Sequence, residues 1–270
     1  MTVTARAPAV AGQFYPADPV VLTNLVDTLL AAVPPDQARA PAAGYVVPHA
    51  GYRYSGATAA YAYADLRRGG PVRRIILIGP AHFVPVTGCA LSSAAQWHTP
   101  IGAVPLDLAG RTALVRAGLA VVDDAAHAPE HSLEVQLPFL QRALDPTPPI
   151  LPMVVGPSSP ELVAMVLEAA VGSEPAGTVV VCSTDLSHYL DEETAEARDA
   201  RTVGAVVDRR VADLGAGDAC GVHALRGLIA WAAHSDLTPR LLDQRTSAQA
   251  AGDRSRVVGY AALALHRDPS

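Results

Sequence analysis

The feature that most constrains this chain is a recurring unit: a short apolar run, bounded by Gly or Pro, that ends in a turn carrying a histidine. Val46-Val47 runs into Pro48-His49, Ile75-Ile76-Leu77-Ile78 into Gly79-Pro80-Ala81-His82, and Val179-Val180-Val181-Cys182 into Ser183-Thr184-Asp185-Leu186-Ser187-His188. Brief β-branched runs without alternation read as strands buried on both faces. Helices must then cover both faces of the sheet, and ligand crevices open beyond the carboxyl ends of its strands.

Helical patterns fall between these runs. One extends from about Val20 to Ala32 and stops at Pro34-Pro35; residues 36–42 read as a polar loop before the strand that begins near Gly44. Ser55 or Gly56 is the expected cap of a helix with Ala59, Tyr63 and Leu66 on its apolar face, ended by Gly69-Gly70. The segment after His82 as far as Leu108, rich in turns and short strands and including Cys89–Ser92 and Trp97–Gly102, reads as a hairpin insertion over the strand ends. A short helix over 107–118 and a brief strand at Ala120–Val122 follow. A leucine stripe (Leu133, Leu137, Leu140, Leu144) predicts a helix opening at Glu130-His131, interrupted at Pro138. Ile150–Val155 reads as a strand, Ser159-Pro160-Glu161 as a helix start, Glu192 to Leu214 as one long helix, and Arg240–Arg245 and Val257–Leu265 as closing strands. The expected class is α/β: one domain spanning residues 1–270, a central sheet with helices on both faces.

Composition narrows the chemistry. The 270 residues are half hydrophobic, enough for a sizeable core, and the formal charge of −6 with no basic stripe argues against a nucleic-acid partner. All 20 basic residues are arginine, so Schiff-base chemistry and a phosphate-loop lysine are excluded. No apolar run approaches the roughly 18 residues of a membrane helix, and Cys89, Cys182 and Cys220 form no close pair; a cytoplasmic protein away from membranes is expected.

Histidines at equivalent strand exits point to metal binding. His49 and His82, if delivered by neighbouring strands, can present imidazole nitrogens to one ion. Cys220 is the best third ligand: with Asp218 as a helix cap it falls in a first helical turn, where the thiolate is favoured, whereas Cys89 and Cys182 sit in apolar strands. His223, three residues on, is either a supporting partner or a surface residue. Asp185 either orients His188 as a general base or caps its turn. His131 and Glu134, three apart, either line the cleft or form a solvated helix face. A serine triad is disfavoured, because Ser132 and Ser187 merely adjoin histidines and no Gly-x-Ser-x-Gly elbow occurs.

Several segments together resemble the MEMO family, whose bacterial members are also called AmmeMemoRadiSam system protein B. They are Ala11-Gly12-Gln13-Phe14-Tyr15-Pro16, Pro48-His49-Ala50-Gly51-Tyr52, Gly79-Pro80-Ala81-His82, Glu130-His131-Ser132-Leu133-Glu134, Ser183-Thr184-Asp185-Leu186-Ser187-His188-Tyr189, Cys220-Gly221-Val222-His223 and Val258-Gly259-Tyr260-Ala261. The resemblance implies a fold similar to the class III extradiol dioxygenases, with a mixed sheet. It also implies metal ligation by His49, His82 and Cys220, with Asp185 and His188 in the same pocket. It further implies Fe(II) or Cu as cofactor, and functional association with radical-SAM and AMMECR1-like proteins. A cysteine replaces the glutamate ligand of those dioxygenases, which moves the site away from ring cleavage. The expectation is a metal-dependent oxidoreductase acting on an unidentified small molecule. The alternatives are a binding or adaptor protein using the same pocket and, third, a zinc hydrolase.

Overall fold

The computed structural model describes residues 4–35, 42–173 and 175–267. The expected loop at 36–42 lies, apart from Ala42, outside the described residues. The chain runs through β1 (Ala5–Arg6), α1 (Pro19–Ala31), β2 (Gly44–Val47), α2 (Tyr52–Arg68) and β3 (Arg74–Pro80). Next come β4 (Cys89–Leu91), the hairpin β5 (Gln96–Thr99) and β6 (Gly102–Pro105), α3 (Leu108–Arg116), β7 (Val121–Val122) and α4 (Asp124–His127). A 3-10 turn at Glu134–Gln136 leads into α5 (Leu137–Ala143), β8 (Ile150–Val155), α6 (Pro160–Val171) and β9 (Thr178–Ser183). The remainder is β10 (His188–Leu190), α7 (Glu192–Val207), α8 (Val222–His234), β11 (Leu237–Thr246), α9 (Ala248–Ala251) and β12 (Val257–Arg267).

Four strands, β2, β9, β3 and β8, lie side by side and parallel, so their carboxyl ends share one edge. Antiparallel β12 and β4 flank them, making the sheet mixed, and β11 and β10 pair with β12. The order answers one expectation: β2 and β3 are not neighbours, since β9 runs between them. Side-chain alternation sorts the core. Tyr45, Val47, Ile75, Leu77, Val179 and Val181 pack toward α1, α2 and α5, whereas Val46, Ile76, Ile78, Val180 and Cys182 pack toward α6 and α8. Each such apolar side chain contributes about 1.5–3 kcal/mol on burial, so the strands are fixed from both sides and their ends form a rigid platform.

Local signals hold at five helix starts: Asp18 accepts from Val20 and Val21 ahead of α1 and Ser159 from Leu162 ahead of α6, each with a proline in the first turn, and Asp107, Asp123 and Asp191 cap α3, α4 and α7. Elsewhere tertiary contacts override them. α2 starts at Tyr52, not beyond Ser55 or Gly56, because the Tyr52 N–H is taken by the Phe14 carbonyl and the Ser55 hydroxyl donates to the Ala50 carbonyl at 2.7 Å. The helix expected over 131–144 divides into the 3-10 turn and α5, with Pro138 opening α5. α7 ends at Val207 rather than Leu214, since Arg209 adopts φ 57° and a separate 3-10 turn follows. The hairpin β5–β6 joins β1 in a small second sheet. Among the described residues, no helix is long and apolar enough to cross a membrane.

Candidate metal centre

His49 leaves the end of β2 and is buried to 2 % exposure. Its N–H donates to Asp185 Oδ1 at 2.7 Å, and its Nδ1 lies 2.9 Å from Ser183 Oγ at the end of β9. The direction of that bond follows from counting hydrogens. Ser183 has one, given to the Ser132 carbonyl at 2.6 Å, so its hydroxyl oxygen can only accept from its other neighbours. Gln136 Nε2 is one donor at 2.8 Å, oriented by the Tyr63 hydroxyl on its Oε1 and by the Pro48 carbonyl. His49 Nδ1–H is the other, which leaves the Nε2 lone pair bare.

His82 reaches the same state by a different route. Its Nδ1 donates to Glu130 Oε1 at 2.9 Å, and its main-chain N–H to Glu130 Oε2 at 2.5 Å. Oε1 also accepts the N–H groups of His131 and Ser132. Burial alone would raise the Glu130 carboxyl, but the bonds from His82 outweigh it and hold the group down at about 2. Close approach matters here: a Cβ on Gly79 would meet Leu133 Cδ2 at 2.9 Å and Ser132 Oγ at 3.2 Å.

Cys220 does not occupy the first turn of a helix capped by Asp218. α8 begins at Val222, with Gly221 at its cap, and Asp218 instead pairs with Arg198 at 2.9 Å and accepts from Gly215. Cys220 sits in the preceding turn, docked on the β9 exit: its N–H donates to the Asp185 carbonyl, and its sulfur receives the Asp185 N–H at 3.3 Å. Gly221 permits this, since a Cβ there would lie 2.9 Å from Thr184. Burial, and then the Asp185 charge, push the thiol up to about 12, opposite to the lowering that a helix start predicts. An adjacent metal cation reverses that shift outright.

The three expected ligands do converge. Cys220 Sγ is 3.2 Å from His49 Nε2, and the ligand atoms of His49, His82 and Cys220 all lie within 4.8 Å of one another. Metal–nitrogen bonds of about 2.0–2.1 Å and metal–sulfur bonds of about 2.3 Å place tetrahedral ligands roughly 3.3–3.6 Å apart, so these residues fit one ion. Two neutral imidazoles and a sulfur suit copper, zinc or iron rather than calcium or magnesium. His82, Glu130 and His131 form a second close group, but Glu130 is already occupied by four N–H donors.

Around this centre is a cavity of about 660 Å³, lined in part by His131, Asp185, His188, Tyr54, Tyr189 and Arg256. His131 stacks on His82 at 4.7 Å and packs against Phe14. Burial, then the neighbouring imidazoles, depress His49 to about 3 and His131 to about 4. His188 is oriented by the Leu186 carbonyl, 2.9 Å from its Nδ1, and not by Asp185, whose carboxylate serves the His49 N–H. Burial holds the Asp185 carboxyl above its ordinary range.

Two expected pocket residues lie elsewhere. Glu134 is fully buried and clasps the N-terminal segment, accepting from Arg6 at 2.7 Å, the Ala9 and Val10 N–H groups, and the Tyr15 hydroxyl at 2.6 Å. His223 faces Ser158, its Nδ1 3.2 Å from that carbonyl. Sequence reasoning missed Glu130, Ser183, Gln136 and Tyr63. The available signal was a carboxylate beside His131 and a polar strand end beside His49.

A family model described as Memo-like protein matches residues 6–264. A MEMO1 family protein from Methanopyrus kandleri is 36% identical, covering 97% of this chain and 99% of its own length. Others from Methanothermobacter thermautotrophicus (32%; 96% and 99%) and Sulfolobus acidocaldarius (33%; 94% and 97%) are similar over nearly the whole of both chains.

Proposed function

The chain belongs to the Memo-like protein family, and we propose that it is a metal-dependent oxidoreductase in which His49, His82 and Cys220 hold Fe(II) or copper. The observation that carries this reading is the convergence of two Nε2 lone pairs and one sulfur within 4.8 Å at one sheet edge. When bound, such an ion supplies one-electron redox chemistry. The protein's part is to fix both imidazoles through Ser183 and Glu130, to hold the sulfur half-buried at the cavity wall, and to offer a proton acceptor. His188 fills that last role: its Nδ1–H is committed to the Leu186 carbonyl, so Nε2 is free to take a proton from a ligand in the cavity.

A second reading is favoured by the cavity mouth, where Tyr54 and Tyr189 are 40 % and 65 % exposed. Exposed aromatics at a pocket rim suit recognition of a partner or small ligand without turnover. Anaerobic purification, elemental analysis and dioxygen uptake separate the two. The oxidoreductase reading expects about one iron or copper ion per chain, uptake by the wild type, loss of both metal and uptake in Cys220→Ala, and loss of uptake alone in His188→Asn. Stoichiometric metal without uptake overturns it in favour of binding. Zinc as the sole tightly held ion, with hydrolytic turnover, redirects it to hydrolysis.

A further inference from the structure

Beyond the metal ligands, the turn from Asp185 to Leu190 is held by a device that the proposed chemistry does not itself call on. Two main-chain bonds pin it to β12: Leu186 N–H to the Gly259 carbonyl at 2.8 Å, and Gly259 N–H to the Ser187 carbonyl at 2.9 Å. From α7 below, Asp199, 1 % exposed, accepts the Ser187 N–H on Oδ1 at 3.0 Å. The Ser187 hydroxyl also faces this carboxyl, so main chain and side chain of Ser187 both turn toward Asp199. Burial keeps this carboxyl above the ordinary range. Gly259 is the seat for it, because a Cβ there would stand 1.7 Å from Asp199 Oδ2. A buried acid pressed against a bare α-carbon is costly to keep, so its place here calls for a local task. What it does do is occupy the one N–H of the turn that β12 leaves unbonded between Leu186 and His188.

We propose that Asp199, seated on Gly259, is the positioning residue for His188. With Leu186 N–H, Ser187 C=O and Ser187 N–H all committed, the Leu186 carbonyl is held where it receives His188 Nδ1–H at 2.9 Å, and Nε2 is held as the bare nitrogen toward the cavity. Asp199 is not among the residues that line the cavity; it reaches His188 through the turn that it holds and through its charge. The assignment of a proton-accepting task to His188 rests on the oxidoreductase reading; the positioning itself does not.

The test is nitrogen-15 NMR on the full chain labelled at histidine, loaded with Zn(II) to keep it diamagnetic, with His188 assigned through His188→Asn. The wild type should show a single His188 tautomer, Nδ1–H. In Asp199→Ala, and independently in Gly259→Ala, the Nε2–H form should rise to a comparable population. Asp199→Asn, which keeps an oxygen for the Ser187 N–H, should restore the wild-type pattern. Zinc content should stay unchanged throughout. A folded Asp199→Ala or Gly259→Ala chain with the wild-type His188 tautomer overturns the proposal. Absence of zinc binding in the wild type would count against the metal reading alone, since the tautomer is still read.

Discussion

The two ends of the parallel strands invite comparison. At their amino ends lies a cavity of about 530 Å³ walled by Ala42, Tyr45, Leu66, Val72, Val179 and Trp231 among others. At their carboxyl ends lies one of about 660 Å³ walled by His49, His82, His131, Asp185, His188 and Cys220. The same strands build both, and the volumes differ little. What separates them is that the carboxyl ends of β2, β3 and β9 lead into His49, His82 and Asp185, while the amino-end cavity is walled mainly by apolar side chains. Size identifies neither end as functional; convergence of lone pairs does.

The harshest way to break this contrast is to remove a ligand. Cys220→Ala should cut metal affinity by more than about 100-fold, beyond the 10–100-fold typical of supporting residues, and equilibrium dialysis with Fe(II) or Cu(I) measures it. At the opposite end, Trp231→Ala should cost about 3–5 kcal/mol of stability in denaturant unfolding and leave metal stoichiometry untouched. If it strips the metal, the two ends are coupled and the contrast fails.

A finer cut uses two buried glutamates four positions apart. Glu134→Gln removes the charged partner of Arg6 and should destabilise by about 3–5 kcal/mol with metal affinity near wild type. Glu130→Gln should do the reverse, costing about 10–100-fold in metal affinity with a smaller change in melting temperature.

The smallest effect is on acid stability of the metal-free chain. His49 and His131 are held down at about 3 and about 4, so between pH 6.5 and those values the unfolded chain takes up protons that the folded one refuses. Stability therefore falls as pH falls through that window. Glu130, held at about 2, adds a contribution present above about pH 4.5 and lost between there and about pH 2. Thermal melts from pH 7 downward should show the decline, and Glu130→Gln should flatten its lower part.

The fold and the two histidines of the candidate site were legible because strand exits are encoded locally: an apolar run, a break, a histidine; Cys220 was chosen for a helix start that lies two residues further on. The supporting residues were not, because their partners are remote. Glu134 drew notice for its helical spacing from His131, yet no α-helix spans the two and Glu134 opens a 3-10 turn that faces the N-terminal segment; the carboxylate beside His82 is Glu130, next in sequence to His131. Ser183, Gln136 and Tyr63 read as ordinary polar or apolar positions until β9 is placed between β2 and β3. Asp218 has the chemistry of a cap, but Arg198, twenty residues away, engages it first.

The positions of the three proposed ligands carry one more consequence. Residues 49, 82 and 220 are far apart along the chain and arrive from β2, β3 and the approach to α8. An ion gripped by all three acts as a rivet, closing two long segments at once and restricting the unfolded ensemble as a crosslink does. Loading would then be visible as resistance to proteases across the whole chain, and turnover of the protein would follow the supply of such an ion.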